Sequence, residues 1–264
     1  MPKRNKGRTE YINYGQPVLA FRDLPFSLLF DKTYTTRIAG LRDEGNALDL
    51  IVGGGKYGSR AVEFLRSKSR GFVLVDVDPN CQAVKCFRLK VSQNPSQDGE
   101  HFVEGGLSKT LELIDALKPE YVFPTAPIHI VAEMAKLRFT LTPWMEVINC
   151  ILPKLPQSVV LRAGQGGIVL SFNRDNHCRE NCAMPEICPT SHVKKPCTMT
   201  RLMGYAYPEA FILVSHSMAP GMGALEGGEL TTFFDWAAGK AEFVVGTACD
   251  CHGVFSAFRK AELG

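Results

Sequence analysis

A chain of 264 residues with 45% hydrophobic and 22% charged residues has the length and composition of an ordinary globular protein, with apolar mass for one large domain or one domain and a smaller unit. A formal net charge of +3 is too small to make nucleic acid the main partner, and the basic residues Lys3, Arg4, Lys6 and Arg8 have no aromatics between them, so no nucleic-acid role is expected. No apolar run approaches the roughly 20 residues that span a bilayer, and the first residues lack the apolar stretch of a signal peptide, so the expected location is the cytoplasm, without a membrane span.

Residues 1–46 carry Tyr11, Tyr14, Phe21, Phe26 and Phe30, enough apolar mass to pack, and read as an N-terminal arm or cap. From residue 47 strands and helices alternate. Strands are expected at Leu48 to Val52, Phe72 to Val77, His101 to Val103 and Tyr121 to Pro124. Helices are expected at Ser59 to Ser69, Asn80 to Leu89, Ser108 to Leu117 and Ile130 to Arg138. That alternation predicts a parallel sheet, and residues 47–140 read as a dinucleotide-binding domain. Residues 141–264 read as an α/β continuation: a helix through Trp144 to Leu152, then an extended pair at Val159 to Leu161 and Ile168 to Phe172. Beyond a stretch without periodicity, 174–208, come a strand at Phe211 to Val214, a glycine-rich loop over 220–228, a helix at Leu230 to Ala238, a strand at Phe243 to Gly246 and a last helix from Val254. The fold class is α/β, a Rossmann-like doubly wound and mostly parallel sheet that the chain leaves and rejoins around an inserted Cys-rich metal-binding lobe. A structureless stretch as long as 174–208 needs another source of order.

The strand at Leu48 to Val52 runs into Gly53-Gly54-Gly55-Lys56-Tyr57-Gly58, and the next strand ends in Asp76-Val77-Asp78-Pro79. In G-x-G-x-x-G the first glycine permits the tight turn, the second lets a pyrophosphate approach the backbone and the third lets helix and strand pack closely. Those glycines are Gly53, Gly55 and Gly58. An acid about twenty residues on contacts the adenine ribose, and Asp76 stands there, which favours NAD over NADP.

Nine cysteines in a reducing compartment point to metal ligands or catalytic thiols before disulfides. Cys178, Cys182, Cys188 and Cys197 lie close together between prolines, without the paired C-x2-C knuckles usual for structural zinc, so a [4Fe–4S] cluster is the expected cofactor and zinc the alternative. Cys249-Asp250-Cys251-His252 falls at an expected strand end and forms a second candidate site, in which Cys249 or Cys251 could replace one of those four ligands. His129 and His216 also follow strands. His129, His216, Cys251 and His252 are therefore the candidate catalytic groups, placed for acid–base or thiol chemistry.

Leu50-Ile51-Val52-Gly53-Gly54-Gly55-Lys56-Tyr57-Gly58 followed by Leu74-Val75-Asp76-Val77-Asp78-Pro79 resembles the TrkA-N type of Rossmann domain, the NAD-binding module of potassium-uptake regulators. The run is also similar, more distantly, to the NAD-binding half of siroheme-synthase dehydrogenases. The resemblance covers residues 47–125 and implies that Gly53, Gly55, Gly58 and Asp76 contact NAD. The Cys-rich half departs from both families.

Together these features describe an NAD(P)-binding redox protein with an accessory iron–sulfur or zinc centre, an oxidoreductase acting on a small-molecule substrate or a redox partner protein and open to self-association. The competing reading is a non-catalytic module that senses NAD and redox state and acts on a partner. Nicotinamide moves two electrons and a cluster one, so direct coupling of the two needs an intermediate carrier.

Overall fold

The computed structural model describes residues 47–261 except Gln97; the expected N-terminal arm lies outside the described residues. The first, second and fourth strands are short, mostly apolar runs buried over most of their length, as parallel strands are, while the third is exposed at its ends. β1 (Leu48–Val52) pairs in parallel with β2 (Gly71–Asp76) on one side and β4 (Tyr121–Pro124) on the other, and β3 (Glu100–Glu104) lies beyond β2. Helices α1 (Lys56–Ser67), α2 (Gln82–Phe87), α3 (Leu107–Leu117) and α4 (Ile130–Arg138) connect or follow these strands.

The single continuous sheet expected from the sequence is replaced by two. The first has the order β3-β2-β1-β4-β10-β9, in which the hairpin of β9 (His216–Ala219) and β10 (Met222–Glu226) adds antiparallel to β4. The second, in the order β6-β7-β12-β11-β8, combines β6 (Val160–Gly164), β7 (Gly167–Ser171), β8 (Phe211–Val214), β11 (Glu242–Ala248) and β12 (His252–Lys260), with β5 (Leu141–Pro143) on β12. Only β8 and β11 run parallel there. The chain changes sheets within one residue, Ser215, between β8 and β9. The whole is an α/β fold.

Two expected elements change identity. The last helix is strand β12, in which Gly253, Phe255 and Ala257 are buried in alternation, the two-residue period of a sheet. The glycine-rich loop over 220–228 is the β9–β10 turn, strand β10 and the start of α7 (Gly227–Ala238). The aperiodic stretch also ends early. Met199, Leu202, Met203 and Ala206 recur at helical spacing and bury one face of α6 (Met199–Ala206), whose N-cap Thr198 accepts the Arg201 amide.

These elements stack in five layers. One face of the first sheet packs Ile51, Phe72, Leu74, Phe102 and Phe123 against Ala61, Val62 and Leu65 of α1 and Ala83 of α2. Its other face meets α3, α4 and α7, and those helices bury Phe243, Val245 and Phe258 of the second sheet on their far side. The remaining face of the second sheet packs Ile168, Leu170, Val244 and Phe255 against α5 (Met145–Ile151) and α6. At the start of β1, Asp49 is fully buried and bonded to Arg70, which also reaches Glu120. Among the described residues no helix is long and apolar enough to cross a membrane.

Candidate functional site

The glycine turn is shaped by close packing. Gly53 has φ of +106°, a conformation that side chains rarely adopt, and a Cβ on Gly58 would lie 2.0 Å from the Gly53 carbonyl oxygen, so α1 leaves β1 at a distance only glycine allows. Nothing lies within 4 Å of a Cβ built on Gly55, which leaves open space over the start of α1. Asp76 closes the turn: its two carboxylate oxygens accept the amides of Gly54 and Asp78. Thr125, at the end of β4, donates its hydroxyl to the carbonyls of Val52 and Gly53.

A cavity of about 320 Å³ opens where β7, β8, β11 and the β9–β10 turn end. Its wall includes Cys178, Cys182 and Cys188, with Cys249 and Cys251 from the β11–β12 turn, His252 from the start of β12, and Tyr57 from the first turn of α1. Segments more than sixty residues apart in sequence meet there because β12 pairs with β7 from His252↔Ser171 onward, which sets the β11–β12 turn against residues 172–182. The Phe172 amide donates to the Cys251 carbonyl at 3.0 Å and the Met199 amide to Asp250 at 3.1 Å.

The opposite side of the irregular segment is held by the first sheet. Lys56 pairs with Glu180, and Arg60 donates to the Glu180 carbonyl, the Asn181 side chain and the Pro220 carbonyl. At the hairpin tip, Gly221 has φ of +73° and a Cβ there would come within 1.7 Å of the Glu180 oxygen, so glycine alone lets the two backbones meet. Its amide donates to the Cys182 carbonyl at 2.9 Å.

Each sulfur in the cavity has a donor. The Met184 amide donates to Cys182 Sγ, the Ser191 amide to Cys188 Sγ, and the amides of Cys251 and His252 to Cys249 Sγ. Lys195 Nζ donates to Cys251 Sγ at 3.2 Å and to the Met184 carbonyl at 2.9 Å. Cys178 Sγ lies 3.2 Å from His252 Nε2 and accepts from Asn173 Nδ2 at 3.2 Å. Burial raises the Cys249 and Cys251 thiols, the latter to about 11 against the pull of Lys195. Cys188 goes the other way: burial raises its thiol, but hydrogen bonds from Ser191 and Thr190 outweigh it and leave it below the usual range. His252 keeps solvent contact, yet the protein around it desolvates its charged form, Lys195 adds repulsion, and its pKa falls.

The predicted site residues separate under this geometry. Cys178, Cys182, Cys188, Cys251 and His252 line the cavity. Cys197 instead packs against the apolar layer beneath α6, where burial raises its thiol to about 11. His129 sits between helix and second sheet, its Nδ1 at 2.9 Å from Ser256 Oγ and its Nε2 at 3.0 Å from Thr247 Oγ1; burial lowers its pKa to about 3, so it stays neutral. His216 Nε2 is 3.5 Å from Glu226. Sequence reasoning passed over Lys195, Asn173 and Tyr57. Lys195, two residues before Cys197 among charged loop positions, carried no signal that it faces the thiols.

The fold and this cavity define a two-sheet α/β protein with a thiol-ringed site at its strand ends. The chain belongs to the AF_1314 family: the model AF_1314_N, described as uncharacterized protein, N-terminal domain, matches residues 48–130, and AF_1314_C, uncharacterized protein, C-terminal domain, matches residues 129–261. It is 46% identical over 216 residues to an uncharacterized protein of Archaeoglobus fulgidus, covering 81% of this chain and all of that one. No solved structure matches it significantly. The resemblance to TrkA-N domains and siroheme-synthase dehydrogenases does not hold, since the family models that match belong to neither. The glycines that suggested it are required by the close approach of Gly58 to Gly53, a constraint any such strand–helix turn shares.

Proposed function

We propose that this protein is an NAD(P)-binding oxidoreductase whose redox centre is a [4Fe–4S] cluster in the thiol-ringed cavity. The observation that carries the proposal is the meeting of five cysteines, from two distant segments, on one cavity, with an N–H donor directed at each sulfur. Thiolates are the ligands iron–sulfur clusters use, and hydrogen bonds to the sulfurs stabilise their negative charge and set the potential. The five cysteines are spread around the wall of the cavity. A cluster spreads its thiolates over separate irons, whereas tetrahedral zinc draws four to one atom at about 2.3 Å. When bound, the cluster would supply one-electron transfer, and a substrate or redox partner able to split the nicotinamide's hydride pair would stand between the two.

The first sheet supports the nucleotide half of the reading. The parallel order β3-β2-β1-β4, with helices on both faces, supports a Rossmann-like reading, in which a switch point falls between β1 and β4. The glycine turn, Asp76 and the open space above Gly55 lie at that edge. Tyr57 follows within the same turn of α1 and lines the cavity, so dinucleotide and cluster would be neighbours.

Anaerobic purification of the full chain, with a visible spectrum and iron, sulfide and zinc analysis, tests the proposal. A brown protein with a broad band near ~400 nm and about four irons and four sulfides per chain is expected. A colourless protein holding one zinc would overturn it.

A further inference from the structure

We infer that Cys182, Cys188, Cys249 and Cys251 hold the cluster, and that Cys178 remains a free thiol at the mouth of the cavity beside His252; this rests on the cluster reading above. A [4Fe–4S] cluster takes four cysteines, and five line the cavity. Two observations set Cys178 apart. It belongs to an exposed residue, whereas the other four are half-buried. Its sulfur is met by two side chains, His252 and Asn173, whereas backbone amides donate to Cys182, Cys188 and Cys249, and an ammonium to Cys251.

Backbone donors are fixed by the fold, and together with the Lys195 ammonium they direct N–H groups at those four sulfurs, as hydrogen bonds do around cluster-ligating thiolates. Lys195 also joins the two halves of the set, because one ammonium reaches Cys251 Sγ and the Met184 carbonyl, two residues from Cys182. Cys197 takes no part. It lies among the apolar residues beneath α6, and the ligands that complete the cavity are contributed by the β11–β12 turn.

The test uses the full chain, reconstituted anaerobically with ferrous iron and sulfide. Serine variants of Cys178, Cys182, Cys188, Cys197, Cys249 and Cys251 are compared by iron content, by the electron paramagnetic resonance spectrum of the reduced protein and by circular dichroism to confirm folding. C182S, C188S, C249S and C251S should each lose most of the iron or change the spectrum, while C178S and C197S keep about four irons and an unchanged signal. Alkylation of the loaded wild type with iodoacetamide, mapped by mass spectrometry, needs no variant. Cys178 should label as readily as the exposed Cys86 and Cys150, with the four ligands protected. Loss of the cluster in C178S together with its retention in C249S or C251S would overturn the assignment alone, as would loss in C197S. A wild type that takes up no iron and sulfide would overturn the cluster reading and the assignment together.

Discussion

Glu229, in the first turn of α7, shows how one residue makes stability depend on pH. Burial raises its carboxyl from 4.5 to about 7, against the Val214 amide that donates to it, and the neighbouring Glu226 adds to the rise. A raised carboxyl favours the folded state while protonated. Its contribution is therefore whole below pH 4.5 and is lost as pH climbs through about 7. E229Q, which keeps an acceptor for Val214, should be more stable than the wild type by about 1–2 kcal/mol at pH 8, allowing for solvent contact, and equal to it near pH 4. Urea melts at the two pH values read this directly, and an equal gain at both would rule the titration out. The glycine turn gives a second contrast. G58A forces a Cβ against a backbone oxygen and should cost about 3 kcal/mol or more. G55A fills open space and should cost under about 1 kcal/mol; on the proposed nucleotide reading, in which the phosphates approach there, it should also weaken NAD binding about tenfold or more by calorimetry. Unchanged binding in G55A would remove this turn from the nucleotide site.

The glycine turn, β1 through α4 and the thiol-bearing residues were legible in the sequence because each is written in local pattern: apolar runs, helical periods, clustered cysteines. The fate of Cys197 was not. Its spacing matches its neighbours, and what removes it from the cavity is the apolar stripe of Met199, Leu202 and Met203, which buries that end of the segment. β12 misread for a related reason, since a short run such as Val254-Phe255-Ser256-Ala257-Phe258 suits helix or strand, and pairing with β11 and β7 decides it. The role of α1 as a clamp on the Cys-bearing segment was invisible too, because Arg60 finds its partners more than a hundred residues away. R60A removes three hydrogen bonds between exposed groups, so the melting temperature should move by a few degrees at most. Amide exchange at Gly221 and across 180–182 should quicken about tenfold, and exchange as slow as in the wild type would show the segment is held elsewhere.

At the scale of the whole molecule, two sheets share a helical layer, and the single residue Ser215 carries the chain from one to the other. No local pattern announces that change. The expected strand ends at Val214 with no second strand after it, and the partners available on each side, β11 for β8 and β10 for β9, set the two strands apart. His129 ties the layers from within, its neutral ring donating to one of the hydroxyls of Thr247 on β11 and Ser256 on β12 and accepting from the other.

The seating of the β11–β12 turn also fixes an order of events in time. Cys249 and Cys251 face the cavity only after β12 has paired with β7, a contact between residues some eighty positions apart, and such distant pairings form late in folding. If the proposed cluster is present, its assembly would therefore wait for the second sheet to close. On the proposed reading, iron and sulfide would reach a chain already folded around the place they fill.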